Sequence, residues 1–498
     1  MRLAVFIGLF LLAGCGDSTG ANGGAGGGGV GGFGGTSGTG GAGGIDLKVW
    51  PCTEQGIRDA ITVGGGPHTF ACDEPTVVTT EATIDIENDV ILDGEGNLIV
   101  DGDEDHTVFS LLRAGRAVFR NMTIQRGYTE GGGAGIRNFE SDLFVEGCSI
   151  VDNRSSEQIG GGIYSFDGVL EIVGSTISRN EAVIGGGVTC QGDDLTIRES
   201  FITDNIGGGI DNFGELFVAD TTISGNVGFG GIGNSGDLVI VRSVVSDNEG
   251  FRGGGVFNAG SLIMFSTTVD GNTAEEGGGI YAFDAGRFGG DLWISNLVLL
   301  EVAYSTISNN TAQRGGGIYS IALRTAAWNS TFSGNAASEE GGALYLGGTT
   351  LGASTIYLAQ NTVADNTAPL GSALVASGEM PTLRLAGNVL SGECVAQGDA
   401  VVFESRGYNV ESPGDSCGLI ESSDEPNTTS GRLSLGPLQD NGGETKTHLP
   451  AGDSIIDLIP LEECANVYPV EPADDQRLVP RPQGAGCDAG SVEVVPGP

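Results

Sequence analysis

Residues 160–180 read GGGIYSFDGVLEIVGSTISRN: three glycines, apolar residues in alternation, then a closing asparagine. Glycine runs serve phosphate loops, flexible tethers and sharp turns, so the stretch has to be read beside its relatives. The glycine motif returns as GGGAGIRN (131–138), GGGVTC (185–190), GGGIDN (207–212), GGIGN (230–234), GGGVFN (253–258), GGGIYA (277–282), GGGIYS (315–320), GGALYL (341–346) and GSALVA (371–376). A second motif, of the STISRN kind, closes on Asn153, Asn180, Asn205, Asn226, Asn248, Asn272, Asn310, Asn335 and Asn366. Most of these asparagines lie 21 to 27 residues apart; gaps of 38 and 31 fit insertions at coil edges, among them GRFGGDLWISNLVLL from Gly286.

Between the two motifs sits a third apolar segment, LEI at 170–172, LTI at 195–197, LFV at 216–218, LVI at 238–240 and LIM at 262–264. Each repeat is therefore three short strands with period-two alternation, joined by turns. Two-residue hairpin turns at regular intervals are missing, so strands of successive repeats pair in parallel. A chain that rises about 4.8 Å per coil meets these constraints. The predicted fold is all-β, a parallel β-helix (β-solenoid) of about ten to thirteen coils. Aliphatic residues stack inside, and the asparagines are expected in left-handed turns, bonded along the stack as a ladder. Glycines supply the positive φ and close approach of tight corners. TEQGIRDAI, from Thr53 to Ile61, places Ile57, Ala60 and Ile61 at helical spacing behind an N-cap threonine, a short helix suited to cap the N-terminal end.

Composition narrows the partners. Ninety glycines without a Gly-X-Y period exclude collagen, and 39% hydrophobic residues allow a core. There are 22 basic and 64 acidic residues, a formal net charge of −42, and the lysines are Lys48 and Lys446 alone. Such charge repels nucleic acid and anionic lipid headgroups, and leaves divalent cations, neutral glycans or basic partners. A phosphate loop would need Gly-Lys-(Ser/Thr) before a helix, and the repeats hold no lysine.

The start MRLAVFIGLFLLAGC has one basic residue, a short apolar run and small residues, as a secretory signal does. Leu12-Ala13-Gly14-Cys15 resembles the lipobox of bacterial lipoproteins, which implies a signal peptide over 1–14 and a diacylglyceryl-modified Cys15. With Gly at position 16, that resemblance implies the outer membrane, lipid-anchored and facing either the periplasm or the exterior. Residues 15–45 form a Gly-rich tether with a mean span of roughly 30 Å. Domain bounds follow: cap and first coils over 46–125, repeats over 126–390, and a cysteine-bearing C-terminal region over 391–498.

Apart from Cys15, eight cysteines remain in an exported chain, so disulfides are expected. Cys52 and Cys72, Cys394 and Cys417, and Cys464 and Cys487 are close in sequence, though sequence does not fix connectivity. Cys148 and Cys190 sit on separate repeats and suit the core.

The alternation of GG-x-(Ile/Leu/Val) with STISxN resembles the pectin-lyase-like right-handed β-helix superfamily, and most closely bacterial surface β-helix proteins and the repeats of chlamydial polymorphic outer-membrane proteins. Cys52–Ile61 resembles the CSLREA-type start of many such proteins, with Thr-Glu-Gln-Gly departing from the pattern. LGPLQDNGGETKTHLPAGDSIIDL (435–458) and DQRLVPRPQGAGCDAGSVE (475–493) resemble the choice-of-anchor Q region. The right-handed twist of the solenoid is what this resemblance implies.

Three chemical readings compete. A polysaccharide lyase needs a base near the uronate α-carbon and a cation or its mimic on the carboxylate. Arg113, Arg116, Arg120, Arg126 and Arg137 are available but scattered, His68, His106 and His448 lie outside the repeats, and Asp193-Asp194 also reads as a plain turn. Calcium would find Asp101, Asp103 and Asp105 in one short turn that lacks the rest of an EF-hand loop, so no cofactor or metal is assigned. A stripe of Tyr164, Phe257, Tyr281, Tyr319 and Tyr345, one residue past the buried aliphatic, is expected to point outward and offer stacked rings to a glycan or cell-surface partner. Arg137, Thr189, Asp211 and Gly233 interrupt it. The favoured reading is a monomeric, membrane-tethered surface lipoprotein for adhesion, display or binding. A carbohydrate-active enzyme and a structural spacer are the alternatives.

Overall fold

The computed structural model describes residues 49–495 apart from 158, 193, 284–298, 349–353, 379–380, 399 and 468–473. The signal peptide, Cys15, the tether, Asp193 and most of the insertion after Gly286 lie outside the described residues.

Three strands per coil stack into a parallel solenoid. The strands after the glycine motifs form a 13-stranded sheet from Ile84–Ile86 to Cys394–Gln397. The middle strands and the strands of the asparagine motif make two further columns. These belong to one 27-stranded sheet, because Val90–Asp101 and Arg116–Gln125 run through both columns before the coils divide them. Every inter-coil pairing in these sheets is parallel; Ile163, for instance, faces Ile136 on one side and Val188 on the other. The fold is an all-β parallel β-helix.

The repeat explains its own core. Alternation turns Ile163, Leu170, Ile172 and Ile177 inward on one coil, and their counterparts Val188, Leu195, Ile197 and Ile202 lie on the next. All are buried in one continuous apolar cluster, where each such side chain contributes about 1.5–3 kcal/mol. The glycine triplet has two jobs. Gly160 takes φ +66° to turn the corner, while a Cβ on Gly162 would lie 2.6 Å from the Gly187 carbonyl of the next coil.

The nine asparagines form the expected ladder. Asn180 Nδ2 donates to Asn205 Oδ1 at 3.1 Å and to the Ile150 carbonyl of the preceding coil at 2.9 Å. The Asn180 amide also donates to Asn205 Oδ1, at 3.0 Å. The same pattern runs from Asn153 to Asn366. One expectation is corrected. The left-handed residue of each turn is the one before the asparagine, Asp152, Arg179, Asp204, Gly225 and Asp247 among them. The asparagine must point inward to stack, so the exposed neighbour takes the positive φ.

Sequence reading missed a second ladder. The residue opening each STIS segment accepts the amide of its predecessor: Ser175 N donates to Ser200 Oγ, Thr221 N to Ser243 Oγ and Ser305 N to Ser330 Oγ. The ladder continues through Asn361, Asn388 and Asn409 and ends on Asp424. The recurring Ser/Thr was its signal.

Helix α1, Glu54–Val63, begins at Thr53, whose Oγ1 accepts the Gly56 amide at 3.2 Å. Ile57, Ala60 and Ile61 join the core and close its N-terminal end. Three disulfides form, Cys52–Cys72, Cys394–Cys417 and Cys464–Cys487. Cys148 and Cys190 are buried in the core outside these bridges, and burial pushes the Cys148 thiol up to about 12.

Beyond Val410–Ser412 the chain passes a short helix α2, Ser430–Leu433, and turns back along the solenoid. Gln476 Nε2 donates to Thr306 Oγ1 at 2.9 Å and its Oε1 accepts from Thr331 Oγ1 at 2.6 Å; the Ser491 amide donates to Thr362 Oγ1 at 3.0 Å. The segment 475–493 thus serves as a clasp. Its Arg481 is buried against Glu493 at 3.2 Å and donates to the carbonyls of Asp488 and Gly490, while Arg477 pairs with Asp475 at 2.7 Å.

Candidate functional site

The expected stripe is one continuous column on the outer side of the glycine-motif sheet. Its register runs Ser110, Arg137, Tyr164, Thr189, Asp211, Gly233, Phe257, Tyr281, Tyr319, Tyr345, Val375 and Val395. The two halves of this column behave differently.

From Phe257 to Tyr345 the rings stack. Centroids are 5.7, 5.2 and 4.5 Å apart, at interplanar angles of 5°, 10° and 0°. The rings point away from the core, as alternation requires, and form a separate cluster. The expected exposure is wrong for three of them: Tyr281, Tyr319 and Tyr345 are buried. The cause is the residue just before each glycine run. Arg252, Glu276, Arg314 and Glu340 bridge from coil to coil with alternating sign. Arg252 meets Glu276 at 2.8 Å, and Arg314 meets the other oxygen of the same carboxylate. The guanidiniums lie over the rings, Arg252 at 5.2 Å from Tyr281 and Arg314 at 5.4 Å from Tyr319. Burial pushes the Tyr281 and Tyr319 phenols above their ordinary range. This half is sealed.

The other half, which breaks the stripe in sequence, is the more open one: Arg137 and Asp211 are half-buried, though Thr189 and Gly233 are buried. Tyr164 and Phe257 are half-buried at its two ends. Arg137 donates to the Gly132 carbonyl at 2.8 Å and to Thr129 Oγ1 at 3.0 Å, and among the described residues it meets no carboxylate. Burial pulls its guanidinium below the ordinary value, opposed by the Tyr164 phenol. Asp211 has an oxygen, Oδ2, that is shut from water with no donor in reach. Burial alone pushes its carboxyl up to about 7. Before the glycine runs here stand Ile184, Ile206 and Phe229, where the coils of the sealed half offer a charge; a Cβ on Gly185 would sit 3.1 Å from Asp211 Cβ, and Gly207 and Gly208 both take positive φ.

The remaining arginines considered for lyase chemistry are held by the neighbouring coil. Arg113 forms a fork with Glu140 at 2.7 and 3.0 Å, Arg120 pairs with Glu146 at 2.6 Å, and Arg116 lies over the Phe144 ring at 4.6 Å. Arg126 takes Asp101 at 2.8 Å and Asp103 at 3.3 Å. That pairing dissolves the calcium candidate: Asp101 turns to Arg126 and Gln125, and Asp105 stands at the His106 ring instead. Among the described residues no group of three or more His, Cys, Asp or Glu is placed to hold a metal. The histidines are apart and structural, His68 beneath Trp50, His106 on Thr80 and His448 on Ser333.

Two shallow hollows, of about 480 and 420 Å³, lie on the last coils, lined by Phe403, Glu404 and Ile420 and by Tyr357, Arg384 and Val467. Their cations are spent, since Arg384 and Arg406 share Glu404 at 2.9 and 2.6 Å.

The fold defines the class, a parallel β-helix. No family model matches the chain, and no curated protein matches it. The resemblance of its C-terminal segments to the choice-of-anchor Q region therefore stands on the residues quoted for it. Among solved structures the chain is similar to the pectate lyase Pel9A, at 13% identity and a TM-score of 0.30, over 90% of this chain and 97% of that one.

Proposed function

We propose that the protein is a non-catalytic surface β-helix that binds a partner along the open half of its glycine-motif sheet and is held at a membrane through Cys15. The observation that carries this reading is the engagement of the arginines. Of the five that could serve a lyase, three are ion-paired to carboxylates and a fourth lies over a ring. A guanidinium tied to a carboxylate on the next coil is a poor base and a poor clamp for a uronate. The test is a panel of acidic and neutral polysaccharides, with and without calcium, followed by ultraviolet absorbance. No turnover is expected; growth of absorbance would overturn the reading. Cys15→Ala is expected to move the protein out of the membrane fraction, and its retention there would count against the lipid anchor.

A carbohydrate-active enzyme is the second reading, favoured by one specific feature. Arg137 and Asp211 lie on one column with their protonation equilibria displaced in opposite directions, each by burial. If turnover is found, it should vanish in Arg137→Ala and Asp211→Asn; turnover that survives both would place chemistry elsewhere.

A further inference from the structure

Asp211 is half-buried, and its Oδ2 is shut from water without a partner; such groups call for an explanation. Its own coil neighbours supply none. Thr189 and Gly233 flank it in the column, and neither donates to it. In the sealed half a charged residue stands before each glycine run; here that place is taken by Ile184, Ile206 and Phe229.

The surroundings are apolar and open. At the corner beside the glycine run, Ile206, Phe229 and Phe251 are 56%, 50% and 60% exposed, and Val183 and Val227 are exposed too. They are one surface: Ile206 bridges to Val227, Phe229 bridges to Gly250, and Phe229 Cβ lies 3.3 Å from where Gly208 would carry a Cβ. Spread over four successive coils, three rises apart, the patch runs roughly 14 Å along the solenoid. Apolar side chains beside a desolvated acid, with few hydrogen-bonding groups among them, suit an apolar protein surface bearing a cation better than a sugar, which wants many hydrogen-bond partners. The chain's net charge of −42 favours the same sign of partner.

We propose that Asp211 and the exposed rim of Ile206, Phe229 and Phe251 form a docking site for a protein partner that inserts one basic side chain, arginine or lysine, among apolar neighbours. The inserted cation pairs with the half-buried Asp211 carboxylate, and the rim excludes water around it, the arrangement of an interfacial hot spot. The inference rests on the binding reading above. The other ionisable groups on packed elements are Tyr164 in the column, Glu181 and Glu249 at the near corner, and Asp194 and Glu215 at the far one; Cys190 points into the core. Glu181 is tied to Arg154.

The probe is a peptide set carrying one arginine between leucine and phenylalanine, with citrulline twins that keep the shape and lose the charge. Neutral oligosaccharides form the second arm. Binding to the full chain is measured at pH 8 and pH 5.5. Arginine peptides should bind at least tenfold more tightly than their twins at pH 8, and that margin should collapse in Asp211→Asn and at pH 5.5. Phe229→Ser, exposed and away from the core, should weaken both peptides, with a thermal melt confirming its fold. Equal binding of the twins, an Asp211→Asn that binds unchanged, or no peptide binding would each overturn the proposal. Binding of oligosaccharides that is lost in Asp211→Asn would overturn it in favour of a glycan. Polysaccharide turnover would sink the underlying non-catalytic reading instead, so the two failures are distinct.

Discussion

The outer column of the glycine-motif sheet passes through coils of nearly identical backbone, yet its two halves spend their side chains in opposite ways. From Phe257 onward, rings stack and a ladder of Arg252, Glu276 and Arg314 closes over them. From Arg137 to Gly233, a cation and an acid stand three coils apart, beyond each other's reach, with Tyr164 and Thr189 between. One half is built for stability at the surface. The other leaves one carboxylate oxygen, Asp211 Oδ2, shut from water without a partner. The difference is set by single residues before and after the glycine run, while the inner ladders continue unchanged through both halves.

That last point gives the strongest control. Asn226→Ala, in the open half, and Asn310→Ala, in the sealed half, each strand several buried donors and acceptors. Each is expected to cost about 3–5 kcal/mol in denaturant unfolding. Unequal costs would move the contrast from the outer column into the core. Next, Tyr319→Ala should cost about 3 kcal/mol, since its ring is buried between two others under Arg314, while Tyr164→Ala should cost about 1 kcal/mol. Similar losses would break the comparison outright.

Asp211 gives the pH test. Its carboxyl ionises near 7 in the folded chain against 3.8 ordinarily, so the folded state holds the proton more tightly than the unfolded state. Stability is therefore lost as pH rises from about 4 to about 7 and is level above. Asp211→Asn should remove that slope, leaving the variant more stable by about 2 kcal/mol at pH 8, after allowance for the residue's partial exposure, and little changed at pH 4. Parallel stability curves for the two proteins would show that the carboxyl is solvated. Last, Glu276→Gln should cost about 1 kcal/mol, reduced further by salt, because it loosens two partly exposed arginines rather than a core contact.

Much of this was legible because a solenoid writes its structure once per coil. Strand alternation, the register of Asn180 with Asn205 and helix α1 behind Thr53 all follow from local spacing, whereas the cysteines were legible only as neighbours in sequence and their bridges were not. The sealing of Tyr281 and Tyr319 was legible in principle: Arg, Glu, Arg and Glu precede successive glycine runs at 252, 276, 314 and 340. Period-two alternation says which way a ring points but not what lies down beside it, so the rings were expected bare. The openness at Asp211 was hidden for the converse reason, since Ile206 and Phe229 before their glycine runs look like any other apolar residue of the repeat. The clasp was beyond reach. Gln476 meets Thr306 across 170 residues, and no period in the repeat announces a partner that far along the chain.

The clasp also sets how the molecule answers to force. A pull from the N-terminal side meets coils that touch only their neighbours, and these should peel one at a time, each releasing a single ladder rung and a short length of chain. At Thr306 the load changes character. The returning segment grips Thr306, Thr331 and Thr362 together, so three coils must shear in parallel rather than unzip in series. Extension traces from that side should show small regular steps and then one much larger event, leaving the open half of the column the first part to yield under tension.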